Sequence, residues 1–258
     1  MRCFPFGAES NQYTDSMPSV DGERGDRKYR LSNDAGVGEF EPEDIREVSF
    51  PRVSARHLDA LRGFVGLTST ASDVLDELGW KLSLPASAIP PRHAVEGSVI
   101  GHALTLKYLP ERHHLRHRNQ DHGVPKLAHH VVFRSAHPGD VFVVDAAGCG
   151  EVSVMGGLAA ASAVRAGIAA AIVDGAVRDI SDIRSCGLPT WSRYVTPVTG
   201  KERLEAISIN APIQCGGVQV RPGDIVIADH SGVCFIPAEL ADEVLERVLE
   251  VASEEATT

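Results

Sequence analysis

The sequence predicts an α/β fold built on a parallel strand–helix–strand unit, and three observations predict it. Val141-Phe142-Val143-Val144 is a short β-branched apolar run entered through Pro138-Gly139-Asp140, the pattern of a buried strand. Gly156-Gly157 then opens an alanine-rich segment, Leu158 to Ala166, which suits a closely packed helix closed by Gly167. A second apolar run, Ile168 to Val173, follows with Asp174-Gly175 as its expected turn, and Arg178-Asp179 and Asp182 come directly after. Polar groups are thereby gathered at strand ends, where open α/β sheets bind ligands.

The elements before this unit are weaker signals. Residues 1–47 hold eleven acidic against six basic side chains and no sustained period of 2 or 3.6, so they are expected to form a mobile tail. Residues 48–258 are then one α/β domain. Ala55 to Phe64 suits a short helix. Ser69-Thr70 is the expected cap of a second helix, Ala71 to Leu78, closed by Gly79. Pro85 to Arg92 is a proline-rich connection, and Gly97 to Tyr108 alternates as a strand does, with a bend expected at Gly101.

Leu109 to His137 carries seven of the eleven histidines. His113 and His117 share one face if helical, a spacing that metal sites use, but HExxH chemistry needs a Glu that is missing. A solvated loop or helix, its histidines facing water or a neighbouring subunit, is the preferred expectation.

After the central unit, Leu188 to Val198 suggests a further strand. Ile207 to Val220 is broken at Pro212 and Gly216-Gly217. Gly223-Asp224, Asp229 and Gly232 repeat the spacing of Gly139-Asp140, Asp145 and Gly148, which predicts two similar corners in one sheet system. Ala238 to Ala252 is an amphipathic helix with Leu240, Val244, Leu245, Val248 and Leu249 on one face.

Bulk properties exclude several functions. A formal charge of −10 over 258 residues opposes nucleic-acid binding. No apolar run approaches the roughly 18 residues of a membrane span. The five scattered cysteines form no CxxC pair, which argues for a reduced, cytoplasmic protein rather than a disulfide framework. There is no GxGxxG, no GxxxxGK[ST] and no GxSxG around Ser153 or Ser162; Cys149, between two glycines, has no identified base.

Arg178-Asp179 is the strongest chemical candidate. A guanidinium clamps a carboxylate in two-pronged fashion, and the neighbouring Asp is a hard oxygen ligand for Mg²⁺ or Mn²⁺. Free N–H groups behind Gly156-Gly157 favour an anion. Together they suit a small 2-oxo acid. The competing structural account is an ordinary Arg-Asp ion pair and a plain Gly-Gly turn.

These motifs, with TASDVLDELG (Thr70 to Gly79), GLPTWSRYVTP and PGDIVIADHSGVCFIP, resemble the RraA-like family over roughly residues 65–240. That family includes the 4-hydroxy-4-methyl-2-oxoglutarate / 4-carboxy-4-hydroxy-2-oxoadipate aldolases. Gly157, Arg178, Asp179 and Asp182 fall at the aldolase spacing. The resemblance implies a swivelling β/β/α fold and a homotrimer or dimer of trimers with sites between subunits. It implies a metal-dependent class II aldolase that releases pyruvate through an enolate, with oxaloacetate decarboxylation at the same site. Asp179 would hold Mg²⁺ or Mn²⁺, with Asp182 in the outer shell; Arg178 would bind substrate, with Gly156, Gly157 and the N–H groups of Leu158 and Ala159 receiving its carboxylate. The chain departs from the family at Gly157, where an acidic residue is frequent. The alternative that the resemblance carries is a non-catalytic protein that regulates a ribonuclease or helicase.

Overall fold

The computed structural model describes residues 52–62, 64–111 and 128–255. The expected tail over residues 1–47, and His113, His114, His117 and His122, lie outside them. The chain runs α1 (Ala55–Leu61), α2 (Leu67–Glu77), β1 (Ser83–Pro85) and β2 (Val99–Pro110). It continues with α3 (His129–Arg134), β3 (Val141–Met155), α4 (Gly157–Arg165), β4 (Ala170–Val177), α5 (Ile180–Ser185) and β5 (Thr190–Val195). It closes with β6 (Leu204–Ile209), β7 (Ile213–Cys215), β8 (Val218–Val220), β9 (Ile225–Ala228), β10 (Gly232–Ile236) and α6 (Ala241–Glu255).

β2, β3, β4 and β5 lie side by side and parallel, as three successive βαβ crossovers require. Alternation along each strand separates two faces. Leu104, Leu106, Phe142, Val144, Ala171 and Val173 point to the face covered by α3, α4 and α5. Ala103, Val141, Val143, Ala170, Ile172 and Trp191 point to the other, which the β7–β8 hairpin covers with Ile213, Cys215, Val218 and Val220. The first half of β2 turns instead to β9, and the antiparallel strands β1, β10 and β9 extend the sheet. The helices α1, α2 and α6 bury Leu61, Leu67, Leu75, Val244 and Val248 against that part. Gly101 marks the change of partner. A Cβ there would overlap the Gly139 carbonyl, so glycine is needed for close approach.

The two sequence-related corners are the same device. In the first, Asp140 Oδ2 accepts from His137 N at 2.8 Å and Asp145 Oδ1 from Ala147 N at 2.8 Å. In the second, Asp224 Oδ2 accepts from Arg221 N at 2.7 Å and Asp229 Oδ1 from Ser231 N at 2.8 Å. An aspartate bonding the backbone within its own turn fixes the corner locally, and distant partners such as Arg52 on Asp140 and Thr68 on Asp229 tie it to the rest of the chain.

Three expectations are corrected. Asp174-Gly175 is not a turn but the middle of β4. Asp174 is held there by a distant partner, and Gly175 is required because Ala146 Cβ would stand 2.8 Å from its Cβ. The helix α2 starts four residues early, behind left-handed Gly66, with no side-chain cap; Thr68 gives its hydroxyl to Asp229 at 2.6 Å. His129 is not solvated. It is 7% exposed in α3, with burial holding its ring neutral and its pKa down to about 3.

Candidate functional site

The site is delivered by an irregular stretch of β3. Between Asp145 and Met155 this strand pairs with only Asp174 to Val177 of β4, so it arches outward before reaching Gly156. Arg193 and Tyr194 brace the arch. Tyr194 packs so closely on Gly150 that a Cβ there would meet its ring at 3.0 Å, and Gly148 stands left-handed over Arg193. Beside the arch's end, Arg178 N donates to Met155 O at 3.0 Å, so the residues after β4 are tied to the residues after β3.

Around Gly156-Gly157 the predicted residues converge. A Cβ on Gly156 would stand 2.5 Å from Asp179 Oδ2 and 2.9 Å from Arg178 Nε; one on Gly157 would stand 2.6 Å from Asp182 Cβ and 3.0 Å from its Oδ2. The two glycines therefore form a cradle that two carboxylates and a guanidinium fill. Gly157 N donates to Asp179 Oδ2 at 3.2 Å, and Arg178 Nε lies 3.5 Å from the same oxygen. Leu158 and Ala159 follow in the first turn of α4, where N–H groups have no partner four residues back. Ala160 N makes the first such bond, to Gly156 O.

Asp179 itself is strained. It precedes α5 with φ 55° and ψ 45°, a left-handed conformation that costs a non-glycine residue about 1–3 kcal/mol. Aspartate is among the residues that tolerate it. Its carbonyl accepts from Asp182 N at 3.0 Å, which places Asp182 one turn along on the side facing Gly157. Arg178 and Asp179 are 39% and 42% exposed, so this is an open site and not a closed cavity. A cavity of about 350 Å³ does exist, lined by Thr68, Ser72, Ser83 and Ser231 among others, but it holds none of these residues.

A second charged constellation was not foreseen as a unit. Lys107, Asp145, Asp174 and Arg193 cross the four parallel strands in one row, on the face that the β7–β8 hairpin covers. Asp145 and Asp174 are register partners and are 3% and 1% exposed. Lys107 Nζ lies 3.5 Å from Asp145 Oδ2 and Arg193 Nε 2.8 Å from Asp174 Oδ1, the latter an ion contact without hydrogen-bond alignment. Gln214 N and Gly216 N of the hairpin complete the carboxylates at 3.3 and 2.7 Å. The row is self-neutralised, two acids against two bases, which suits anchoring rather than ligand capture. Charges at alternate positions of otherwise apolar strands were the available signal. Beside it, burial and then both aspartates push the Cys215 thiol well up, so it stays protonated and inert.

Ser153 and Ser162 are also structural. Ser153 gives its hydroxyl to Val198 O at 2.9 Å, and Ser162 to Leu158 O at 3.0 Å. No group of three or more His, Cys, Asp and Glu side chains forms a cation cage among the described residues. An Mg²⁺-type site does not need one, because that ion is commonly held by one or two carboxylates plus waters and substrate oxygens. The glycine cradle with Asp179 and Asp182 fits such a donor set.

The parallel βαβ core thus brings a glycine-opened helix start and an Arg-Asp pair together at the strand ends, the arrangement of an open α/β protein with its polar groups gathered there. A family model described as Aldolase/RraA matches residues 68–235, and the chain belongs to this RraA-like family. A relative from Halalkalibacterium halodurans, provisionally named a 4-hydroxy-4-methyl-2-oxoglutarate aldolase, is 38% identical over 112 residues, 43% of this chain and 53% of its own length. The Thermus thermophilus protein named 4-hydroxy-4-methyl-2-oxoglutarate aldolase is 30% identical over 99 residues, 38% of this chain and 60% of its own. The chain thus spans little more than half the length of these curated relatives. A solved structure of Streptomyces coelicolor RraAS2, described as an unusual member of the RNase ES inhibitor RraA family, superposes with a TM-score of 0.68 at 28% identity. It covers 81% of this chain and 98% of that one.

Proposed function

We propose that this chain is a divalent-metal-dependent lyase that cleaves a 4-hydroxy-2-oxo acid to pyruvate and decarboxylates oxaloacetate at the same site. The observation that carries the proposal is the convergence of Arg178, Asp179 and Asp182 on the Gly156-Gly157 cradle at the start of α4. Arg178 presents a permanently charged planar fork to the oxo-acid head, and the N–H groups of Leu158 and Ala159 receive its carboxylate. Asp179 keeps Oδ2 on the Gly157 N–H, which leaves Oδ1 for a cation. Mg²⁺ or Mn²⁺, when bound there with waters, would supply Lewis acidity at the 2-keto oxygen. As the 4-hydroxyl gives its proton to water, the C3–C4 bond breaks, C4 becomes a carbonyl, and the electron pair passes into a pyruvate enolate. Arg178 steadies that negative charge until C3 takes up a proton. Loss of CO₂ from oxaloacetate leaves the same enolate.

The assay is pyruvate release from oxaloacetate and from 4-hydroxy-4-methyl-2-oxoglutarate, with Mg²⁺ or Mn²⁺ and then with EDTA. Metal-dependent release that Arg178→Lys abolishes is the expected result. Absence of release with either metal and either substrate overturns it. A second reading, a non-catalytic regulator that contacts a ribonuclease, is favoured by the likeness to the Streptomyces protein. A ribonuclease pull-down insensitive to Asp179→Asn, from a protein without lyase activity, would select it.

Leu158 is 89% exposed beside Gly157, and Val195 is 49% exposed opposite Val177, the residue before Arg178. Apolar side chains flanking a charged site support its placement at the edge between subunits of a homo-oligomer, a trimer or dimer of trimers.

A further inference from the structure

We propose that Thr196 is a positioning residue: its hydroxyl sets the distance between the arch of β3, which delivers the Gly156-Gly157 cradle, and the end of β4, which delivers Arg178. This rests on the lyase reading above. The sequence after β5 creates the need for it. Pro197 has no N–H and cannot continue the ladder, so the backbone bonding of the parallel strands ends at Thr196, whose N–H donates to Val177 O at 3.0 Å. From there the side chain takes over. Thr196 is buried, and its Oγ1 donates to Glu151 O on the arch at 3.2 Å and accepts from Val198 N at 3.3 Å.

These bonds close a ring. Val177 directly precedes Arg178, Arg178 N donates to Met155 O, and Met155 ends the arch that Glu151 belongs to. Thr196 therefore holds both sides: its N–H fixes the chain that leads into Arg178, and its hydroxyl fixes the chain that leads into Gly156. Glu151 has no register partner on β4, so no ladder holds the arch at that height. The other hydroxyl at this brace is redundant. Ser153 Oγ donates to Val198 O at 2.9 Å, but Ser153 N donates to the same oxygen at 2.9 Å. Without the Thr196 hydroxyl the arch is released from the chain after β5, and the N–H groups of Leu158 and Ala159 drift from Arg178. A head-group site assembled from two separate strand ends loses much of its effect when their spacing changes by about 1 Å.

The experiment is steady-state pyruvate release from oxaloacetate by full-chain variants, with amide hydrogen exchange of each. Thr196→Val keeps the shape and removes the hydroxyl. Its KM should rise about tenfold while kcat changes less than about threefold, because the substrate's head group is what the two strand ends share. Exchange at the Arg178 amide should quicken about tenfold, while Ile172 in the middle of β4 keeps its protection. Thr196→Ser should restore most of the affinity. Ser153→Ala should leave KM within about twofold of the wild type, since the backbone bond to Val198 O remains. Thr196→Ala removes the same bonds and replaces Thr196→Val if that chain does not fold. A wild-type KM in the variant that lacks the hydroxyl, or a raised KM that Thr196→Ser does not restore, overturns the inference while the lyase reading stands. Faster exchange at Arg178 and Ile172 alike makes Thr196 a stability residue only and overturns it too. No pyruvate release by the wild type removes the lyase reading itself, and the positioning role with it.

Discussion

Asp179 separates function from stability within one residue. Its left-handed backbone is strained, and its side chain is too exposed to contribute much to folding. Asp179→Asn keeps a residue type that tolerates this conformation and removes only the charge. Pyruvate release should fall by a hundredfold or more while the unfolding free energy from urea denaturation changes by less than about 0.5 kcal/mol. A loss of several kcal/mol would make Asp179 structural instead. The pair of Arg and Asp was legible in the sequence because adjacent residues after a strand need no tertiary information. What the sequence left open was why two glycines open α4, since their neighbours, Arg178, Asp179 and Asp182, come some twenty residues later and meet them only in space.

His129 makes a second residue-scale case. Its pKa is down to about 3 through burial, so folded protein refuses a proton that unfolded chain accepts below about 6.5. The stability it contributes is present above 6.5 and is lost as pH falls toward 3, by up to about 5 kcal/mol. Asp224 works the other way. Burial raises it to about 6, so its contribution is present below 3.8 and is lost as pH rises through 6. The His129 shift is the larger, so its sign prevails between these two groups. Urea midpoints at pH 7 and 4.5 should show a smaller acid loss in His129→Phe and a larger one in Asp224→Asn. His129→Phe should also fold well at pH 7, because Nδ1 has no hydrogen-bond partner and Phe133 already lines the spot. Equal pH slopes in all three proteins would contradict this assignment.

At the scale of elements, the sequence revealed strands and helices where apolar periodicity was strong and misplaced them where a distant partner decided. β4 illustrates both. Its first half was evident from the run to Val173, whereas Asp174-Gly175 has the composition of a turn and is strand only because Arg193 on β5 neutralises the acid. The start of α2 was misread for the same reason, since the acceptor of Thr68 is Asp229, far along the chain. The row Lys107, Asp145, Asp174 and Arg193 locks four strands and the hairpin together. Arg193→Ala should therefore leave Asp174 buried and unpaired, at a cost of about 3–5 kcal/mol. Replacing both partners, Arg193→Met with Asp174→Leu, should cost clearly less than the sum of the single changes, although Gly216 N loses its acceptor. Chemical denaturation of the double-mutant cycle measures the coupling, and additive losses would mean that the row is not a unit.

At the scale of the whole molecule, the parallel half and the antiparallel half of the sheet have different coverings, and the site lies on the parallel half at an uncovered edge. α1, α2 and α6 bury the antiparallel half thoroughly, whereas at the end of β5 the side chains of Tyr194 and Val195 remain 45% and 49% exposed, with Leu158 close to the charged cradle. An apolar rim around a charged centre is costly in water and favourable against a second copy of the same surface turned to meet it. Light scattering on the full chain should therefore give a closed homo-oligomer, with three or six protomers as the expected count. Leu158→Glu combined with Val195→Glu should shift it toward monomers, because each change buries a carboxylate in an apolar contact. Neither side chain supports the folded protomer, so the melt of that variant should change little apart from the stabilisation that assembly confers. If the variant stays assembled, the contact lies elsewhere on the surface. If it becomes monomeric and loses pyruvate release while retaining Mn²⁺, the cradle built by Gly156, Gly157, Arg178, Asp179 and Asp182 needs a neighbouring subunit to complete the chemistry.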